Sequence, residues 1–177
     1  MQMPKTRAET KQATRNTLIS AGIVEFARHG FDVALDQICA RAKLTRGAFY
    51  VHFADREAFI AAVMQHVLGG FVSAMTGLAP AAPTLTRAID MFFAAVKARA
   101  PIVTGASGLR FFHVLEACRR SKPVGDTYRG IVMGARDRIA ELDPERADLF
   151  AVVALGLLAA TELELPLDLD RVRAALT

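Results

Sequence analysis

The side chains best suited to contact nucleic acid lie close together, between Thr45 and Arg56. Arg46 can donate two parallel hydrogen bonds to guanine or bind a phosphate. Gly47 and Ala48 are small, so the backbone beside them can approach base edges closely. Other polar side chains of the segment suit phosphate oxygens. The predicted DNA contacts are Thr45, Arg46, Gly47, Ala48, Tyr50, His52 and Arg56.

The spacing of apolar residues places these side chains on the second of two short helices. Apolar residues within 35–42 recur at i, i+3, i+4 and i+7, which predicts one helix there, followed by a turn at 43–44. Thr45 is a good N-cap for the next helix, because its hydroxyl can accept from a free N–H. Phe49 and Phe53, four residues apart, are expected to anchor that helix inward. Such a pair is a helix-turn-helix, whose second helix enters the DNA major groove.

Further motifs flank this pair in a fixed order. Gly30-Phe31 closes the preceding helix, the run FYVHF covers 49–53, and Asp55-Arg56-Glu57 opens a fourth helix. On these motifs the segment 18–59 resembles the DNA-binding domain of the TetR (tetracycline repressor) family. The resemblance implies an all-α chain with an N-terminal three-helix DNA-binding domain, including its arm, at 1–55. It also implies a C-terminal helical domain for effector binding and dimerisation at 56–177.

Two residues depart from the pattern of that family. Ala34 stands where the family usually has a Thr or Ser N-cap for the second helix, at an expected cost of ~1 kcal/mol. Lys43 stands where the family usually has Gly in the turn. If the left-handed conformation is kept there, a side chain costs ~1 kcal/mol or more.

The charge of the chain is concentrated in the same region. The 177 residues carry a formal net charge of +4. Residues 1–56 hold nine Lys and Arg against five Asp and Glu, whereas residues 57–177 hold thirteen of each. The positive excess suits a module that neutralises phosphates, although a modest positive balance is also common in small domains. Residues 1–10 are predicted to be a flexible arm. Basic residues in and just after it can contact phosphates or the minor groove, namely Lys5, Arg7, Lys11 and Arg15, although such an arm is more often only solvated and disordered.

Other signals point to a soluble, cytoplasmic protein with no membrane partner. The polar, basic start lacks the apolar stretch of a signal peptide, and the longest apolar run, roughly 149–161, is too short to span a bilayer. The two cysteines have no metal-type spacing, so neither a metal nor a cofactor is expected. No nucleophile elbow, phosphate loop or metal signature indicates an enzyme.

Helical periodicity, interrupted by Pro and Gly, continues to the end of the chain. Helices are predicted over about 10–29, 56–75, 84–100, 108–120, 124–142, 144–164 and 168–175. The helix at 144–164 is apolar on more than one side, which predicts burial on several sides. We expect this helix and the one at 124–142 to pair with their copies across a two-fold axis in a homodimer, although a central helix of a monomeric bundle has the same pattern. The interface residues predicted there are Phe150, Val153 and Leu157.

A small-molecule effector pocket is expected between helices of the second domain. Aromatic and Met residues at helical spacing can line such a cavity, although they are more often plain core. The candidate lining residues are Phe71, Met75, Phe92, Phe93, Phe112, His113, Glu116 and Met133.

These inferences predict a ligand-responsive transcriptional regulator, a repressor that binds a pseudo-palindromic, double-stranded DNA operator and releases it when the effector binds. The alternative is a constitutive DNA-binding or architectural protein whose second domain serves only dimerisation or partner docking.

Overall fold

The computed structural model of the chain describes residues 6–77, 84–100 and 109–176, without the side chains of residues 74–77. Within these ranges all regular structure is helical, which confirms the predicted all-α fold. We label the helices in chain order: α1 Arg7–His29, α2 Leu35–Ala42, α3 Arg46–His52, α4 Arg56–Gly77, α5 Leu85–Lys97, α6 Phe111–Arg120, α7 Lys122–Ala140, α8 Ala147–Glu162 and α9 Leu169–Ala174.

Local capping decides where two of these helices begin. Helix α1 starts at Arg7, earlier than expected, because Thr6 and Glu9 form a reciprocal capping box. Residues 6–10 are therefore not part of a flexible arm, and the rest of the predicted arm lies outside the described residues. Helix α8 starts at Ala147 rather than Pro144, because the Asp143 carboxylate accepts from the Arg146 N–H and closes a turn first.

Helix α2 has the two irregular ends that the sequence predicted. Ala34 precedes it in an extended conformation and provides no side-chain hydrogen bond. Lys43 ends it in the left-handed region, at φ 55° and ψ 41°. This position favours Gly, since a Cβ crowds the following carbonyl there.

The buried side chains form two clusters. The first joins α1, α2 and α3 to the first half of α4 and includes Phe26, Phe49 and Phe59. It also contains Leu109, Val114 and Val124, which come from before α6, from α6 itself and from the start of α7. This first cluster therefore extends beyond the predicted domain boundary at residue 55.

The second cluster joins α5, the end of α7, α8 and α9, with Phe92, Phe93 and Phe150 among its large side chains. Helix α4 links the two clusters, because Phe59 lies in the first and Phe71 packs against the second. Helix α4 packs most extensively against α7, which contributes to both clusters as well.

Candidate nucleic-acid interface

Helix α3 is held in place by its cap and its inner face. The Thr45 hydroxyl accepts a hydrogen bond from the Ala48 N–H at 3.1 Å, as predicted for an N-cap. Phe49 is fully buried, and its ring centroid lies 5.3 Å from that of Phe53 and 5.2 Å from that of Phe59. The aromatic anchor predicted for this helix is therefore formed.

The opposite face of α3 is open to solvent. Arg46 and Gly47 are exposed at its amino-terminal end. Tyr50 and Val51 are 53% and 66% exposed on the next turn. These residues form a surface on which small, polar and aromatic side chains are free to meet a partner.

Among the described residues, Arg46 has one ion-pair partner. Its Nε lies 3.4 Å from Oδ1 of Asp36 in α2, and both side chains are mostly exposed. Exposed pairs of this kind contribute only about 0–1 kcal/mol. The pair therefore orients the guanidinium without preventing it from binding an external acceptor.

His52 lies at the other end of α3, beside basic residues of α1. Its Nδ1 is buried and has no hydrogen-bond partner in the described part of the chain. Burial lowers the pKa of His52, and the positive charges of Lys11 and Arg15 lower it further. The Arg15 guanidinium lies 5.0 Å from the centre of the Phe53 ring, a cation–π contact. Lys11 and Arg15 therefore extend the basic surface along α1.

The signal for Lys11 and Arg15 in the sequence is weak. They are spaced by four residues on a polar stretch, a pattern shared by many solvated helix faces. Only the packing of α1 against the end of α3 brings them beside His52.

Arg56 makes a contact that the sequence did not predict. Its guanidinium donates hydrogen bonds to the backbone carbonyl oxygens of Phe31 and Val33. Burial lowers the pKa of this guanidinium. Arg56 thus ties the start of α4 to the turn before α2 through its Nη2 donors. The predicted contact of Arg56 with DNA stays a prediction.

The predicted effector residues do not surround one cavity. Phe71 and Phe92 line an apolar cavity of about 100 Å³ between α4, α5, α7 and α8. Phe93 is buried in the second cluster, whereas Phe112 and Met133 are 40% and 48% exposed. The Met75 side chain lies outside the described residues.

His113 and Glu116 line a different space, a cleft of about 350 Å³ next to Gly30 and Arg56. They fall outside the apolar cavity because they project from α6 toward the first cluster of the chain. Within the described ranges, no group of His, Cys, Asp and Glu is arranged to hold a metal ion.

The predicted dimer residues pack within their own chain. Phe150 and Leu157 are buried in the second cluster, and Val153 packs against it. Phe150 and Phe92 have ring centroids 5.9 Å apart. Phe150 and Leu157 therefore supply core packing inside the subunit, which is a correction to the expected interface, whereas the interface role of Val153 stays a prediction.

The solvent-facing side of α8 is apolar too. Leu149 and Val152 are exposed there, followed by Gly156. On the adjacent helix α7, Met133 is exposed between Gly130 and Gly134. We call these six residues of α7 and α8 the outer face. No described helix is both long enough and apolar enough to cross a bilayer.

Comparison with known proteins gives one family match. Residues 18–63 match the family described as bacterial regulatory proteins, tetR family. The uncharacterized HTH-type transcriptional regulator TtgW of Pseudomonas putida is 43% identical over 68 residues, which cover 36% of this chain and 50% of that protein. The matched part of the chain thus spans about half the length of this curated relative.

Solved structures resemble the chain over nearly its whole length. A tetR-type transcriptional regulator from Streptomyces avermitilis has a TM-score of 0.71 at 18% identity, covering 92% of this chain and 95% of that one. A TetR-family regulator from Rhodococcus sp. has a TM-score of 0.72 at 12% identity, covering 93% and 95%. GusR of Salmonella enterica has a TM-score of 0.70 at 15% identity, covering 93% and 94%. At these identities the likeness establishes the fold.

Proposed function

We propose that this chain, whose residues 18–63 match the tetR family of bacterial regulatory proteins, is a dimeric transcriptional regulator that binds operator DNA and responds to a small molecule. The observation that carries the proposal is the contrast between the two faces of α3. The Thr45 cap fixes the start of the helix, and Phe49 fixes its inner face in the first buried cluster. The outer face presents Arg46 and Tyr50 to solvent. A rigid helix with a free outer face can enter the major groove.

The proposed DNA contacts fall into two groups, those with base edges and those with phosphates. Arg46 reads a base edge, and Gly47 and Ala48 allow the helix to approach closely. Tyr50, His52 and the Thr45 end of the helix meet phosphates, which position the protein on the duplex. Lys11 and Arg15 add phosphate contacts from α1, because they lie beside His52.

Two copies of the chain are needed to read a full operator. The outer face joins α7 and α8 to their copies across a two-fold axis, since its apolar and small residues can be buried by close helix approach. A symmetric dimer places its two α3 helices on half-sites about one helical turn apart, and the operator is a pseudo-palindrome.

The response to a small molecule passes through α4 and the contacts between the two parts of the chain. Asp32, in the turn before α2, accepts two hydrogen bonds from Arg120 at the end of α6, at 2.8 and 3.0 Å. A ligand that shifts α4 or α6 changes the position of α3. Coupling of this kind is typically ~1–3 kcal/mol.

The experiment is operator selection from random DNA with the full chain, followed by affinity measurements by fluorescence anisotropy. We expect an inverted repeat. Arg46→Ala should weaken binding to it by ~1–3 kcal/mol and relax the preference at one base position. Arg87→Ala, an exposed arginine of α5, is the matched control and should leave affinity unchanged. Unchanged affinity for Arg46→Ala would remove Arg46 from the residues that read bases.

A regulator and a constitutive DNA-binding protein differ in one further measurement. Operator affinity of the regulator falls when a ligand of the second domain is present. If a ligand binds the second domain and operator affinity does not change, the second domain serves only assembly.

A further inference from the structure

The apolar cavity of the second domain has a well-defined wall. Three phenylalanines contribute to it, Phe71, Phe92 and Phe150. The centroid of the Phe92 ring lies 6.4 Å from that of Phe71 and 5.9 Å from that of Phe150, with the planes inclined at 56° and 76°. Aromatic rings tilted in this way at these distances pack favourably against one another. Most of the remaining wall is aliphatic.

Among the described residues that line the cavity, only Tyr128 and Arg136 carry polar side-chain atoms. Arg136 is already paired: its Nε lies 2.7 Å from a carboxylate oxygen of Asp148, and its Nη1 lies 3.1 Å from one of Asp137. Its hydrogen bonds to these two carboxylates raise its pKa. The described part of the cavity wall therefore offers no unpaired positive charge to an anionic ligand.

Tyr128 is different, because its hydroxyl makes no hydrogen bond with any residue that the structure describes. Burial raises the pKa of Tyr128 to about 12. The hydroxyl is therefore protonated throughout the physiological range and can donate a hydrogen bond. Tyr hydroxyls in largely apolar surroundings usually find a partner.

The volume of the cavity limits the size of a ligand. An apolar cavity of about 150 Å³ lined by Leu, Ile and Phe binds benzene. At about 100 Å³, this cavity admits a single small ring with modest side-chain adjustment. A carboxylate in such a site would lose its hydration without gaining a cation.

We propose that this cavity is the effector site and that it takes a small, neutral, largely apolar molecule carrying one hydrogen-bond acceptor, which Tyr128 recognises. The inference rests on the proposed ligand-responsive function and specifies the chemistry of its ligand. Tyr128 distinguishes an acceptor-bearing ligand from a hydrocarbon, and the paired Arg136 distinguishes a neutral ligand from an anion.

Three probes of similar shape test this chemistry on the full-length chain: acetophenone, ethylbenzene and benzoate. Acetophenone is neutral with a carbonyl acceptor, ethylbenzene lacks the acceptor, and benzoate is charged at pH 7.5. Binding is measured by isothermal titration calorimetry. We expect acetophenone to bind about 3- to 10-fold more tightly than ethylbenzene, as one hydrogen bond allows, and benzoate to bind at least 10-fold more weakly than acetophenone.

Two variants connect these affinities to the cavity. Tyr128→Phe should reduce acetophenone binding to that of ethylbenzene and leave ethylbenzene binding unchanged, a difference that a purely structural role of Tyr128 would not produce. Ala154→Leu fills the cavity and should abolish binding of both. Equal binding of benzoate and acetophenone, an unchanged acetophenone affinity in Tyr128→Phe, or no binding of any probe would overturn the proposal.

A parallel titration of operator DNA separates this proposal from the proposed function. If the probes bind in the expected order and operator affinity does not change, the chemistry of the cavity is supported and the ligand response is overturned. If operator DNA is bound but none of the probes is, the cavity proposal fails while DNA binding stands.

Discussion

Arg46 stands between two acceptors, the carboxylate of Asp36 and a base or phosphate of DNA. The separation of 3.4 Å from Asp36 and the exposure of both groups make the internal contact weak. When DNA binds, its base or phosphate must nevertheless compete with Asp36 for the Arg46 guanidinium. Asp36 therefore acts as a positioning residue that also places a negative charge near the DNA-facing surface.

Asp36→Asn should raise affinity for non-specific DNA by several-fold at low salt, because one repulsive charge is removed and Arg46 is released. The difference should shrink as salt increases, since exposed charges are screened over about 10 Å at 0.1 M. Anisotropy titrations at several salt concentrations measure both effects. Asp170→Asn, which removes a comparable exposed pair with Lys97 in the second domain, is the control. Equal gains in the two variants would contradict a local role for Asp36.

Single residues also show where sequence reasoning reaches its limit. The cap at Thr45 and the anchor at Phe49 follow from spacing along one helix, and both are formed. The contacts of Arg56 with the carbonyl oxygens of Phe31 and Val33 depend on how two distant segments meet. Nothing in the local pattern distinguishes an arginine that binds phosphate from one that binds backbone.

At the level of helices, α2 is the weakly specified part of the DNA-binding region. It has eight residues, lacks a side-chain N-cap at Ala34 and ends with a left-handed Lys43. Its stability comes from its apolar face, where Leu35, Ile38 and Cys39 are buried. Short helices in proteins depend on such packing more than on propensity.

Lys43→Gly should therefore raise the free energy of unfolding by ~1 kcal/mol, because Gly adopts the left-handed conformation without steric cost. Urea denaturation followed by circular dichroism measures the change. Lys11→Gly, placed within α1, is the matched control and should lower stability by ~1 kcal/mol. A loss of stability in Lys43→Gly would mean that the side chain makes a contact worth more than the strain.

Helix α8 shows why the predicted interface needed correction. The sequence predicts burial on several sides, and both broad faces of the helix are indeed apolar. Periodicity cannot say which face meets the same chain and which remains outside. Phe150 and Leu157 turn inward because α5 supplies Phe92 and its neighbours opposite them, leaving Val152 on the outside.

For the whole molecule, the outer face is the surface on which assembly should depend. Val152 is 68% exposed in the isolated subunit. Val152→Arg should give a folded monomer, because a charge in the centre of an apolar helix interface cannot be buried without a partner. Light scattering coupled to size-exclusion chromatography measures the mass.

Loss of the dimer should also reduce operator affinity by 10²-fold or more, since linking two half-site contacts contributes that much. Leu115→Arg places the same charge on an exposed apolar position of α6, outside the outer face, and should stay dimeric. A dimeric Val152→Arg protein would exclude this face as the interface.

The first buried cluster has a consequence for synthesis of the chain. Its early members end with Met64, but Val124 completes it about sixty residues later. At ~5–20 residues per second, a translating ribosome needs roughly 3–12 s to deliver the missing part. During that interval the nascent helix-turn-helix exposes apolar surface that α6 and α7 later cover, so the segment is then most dependent on chaperones. The core of the DNA-binding region is thus completed late, although its helix-turn-helix is translated first.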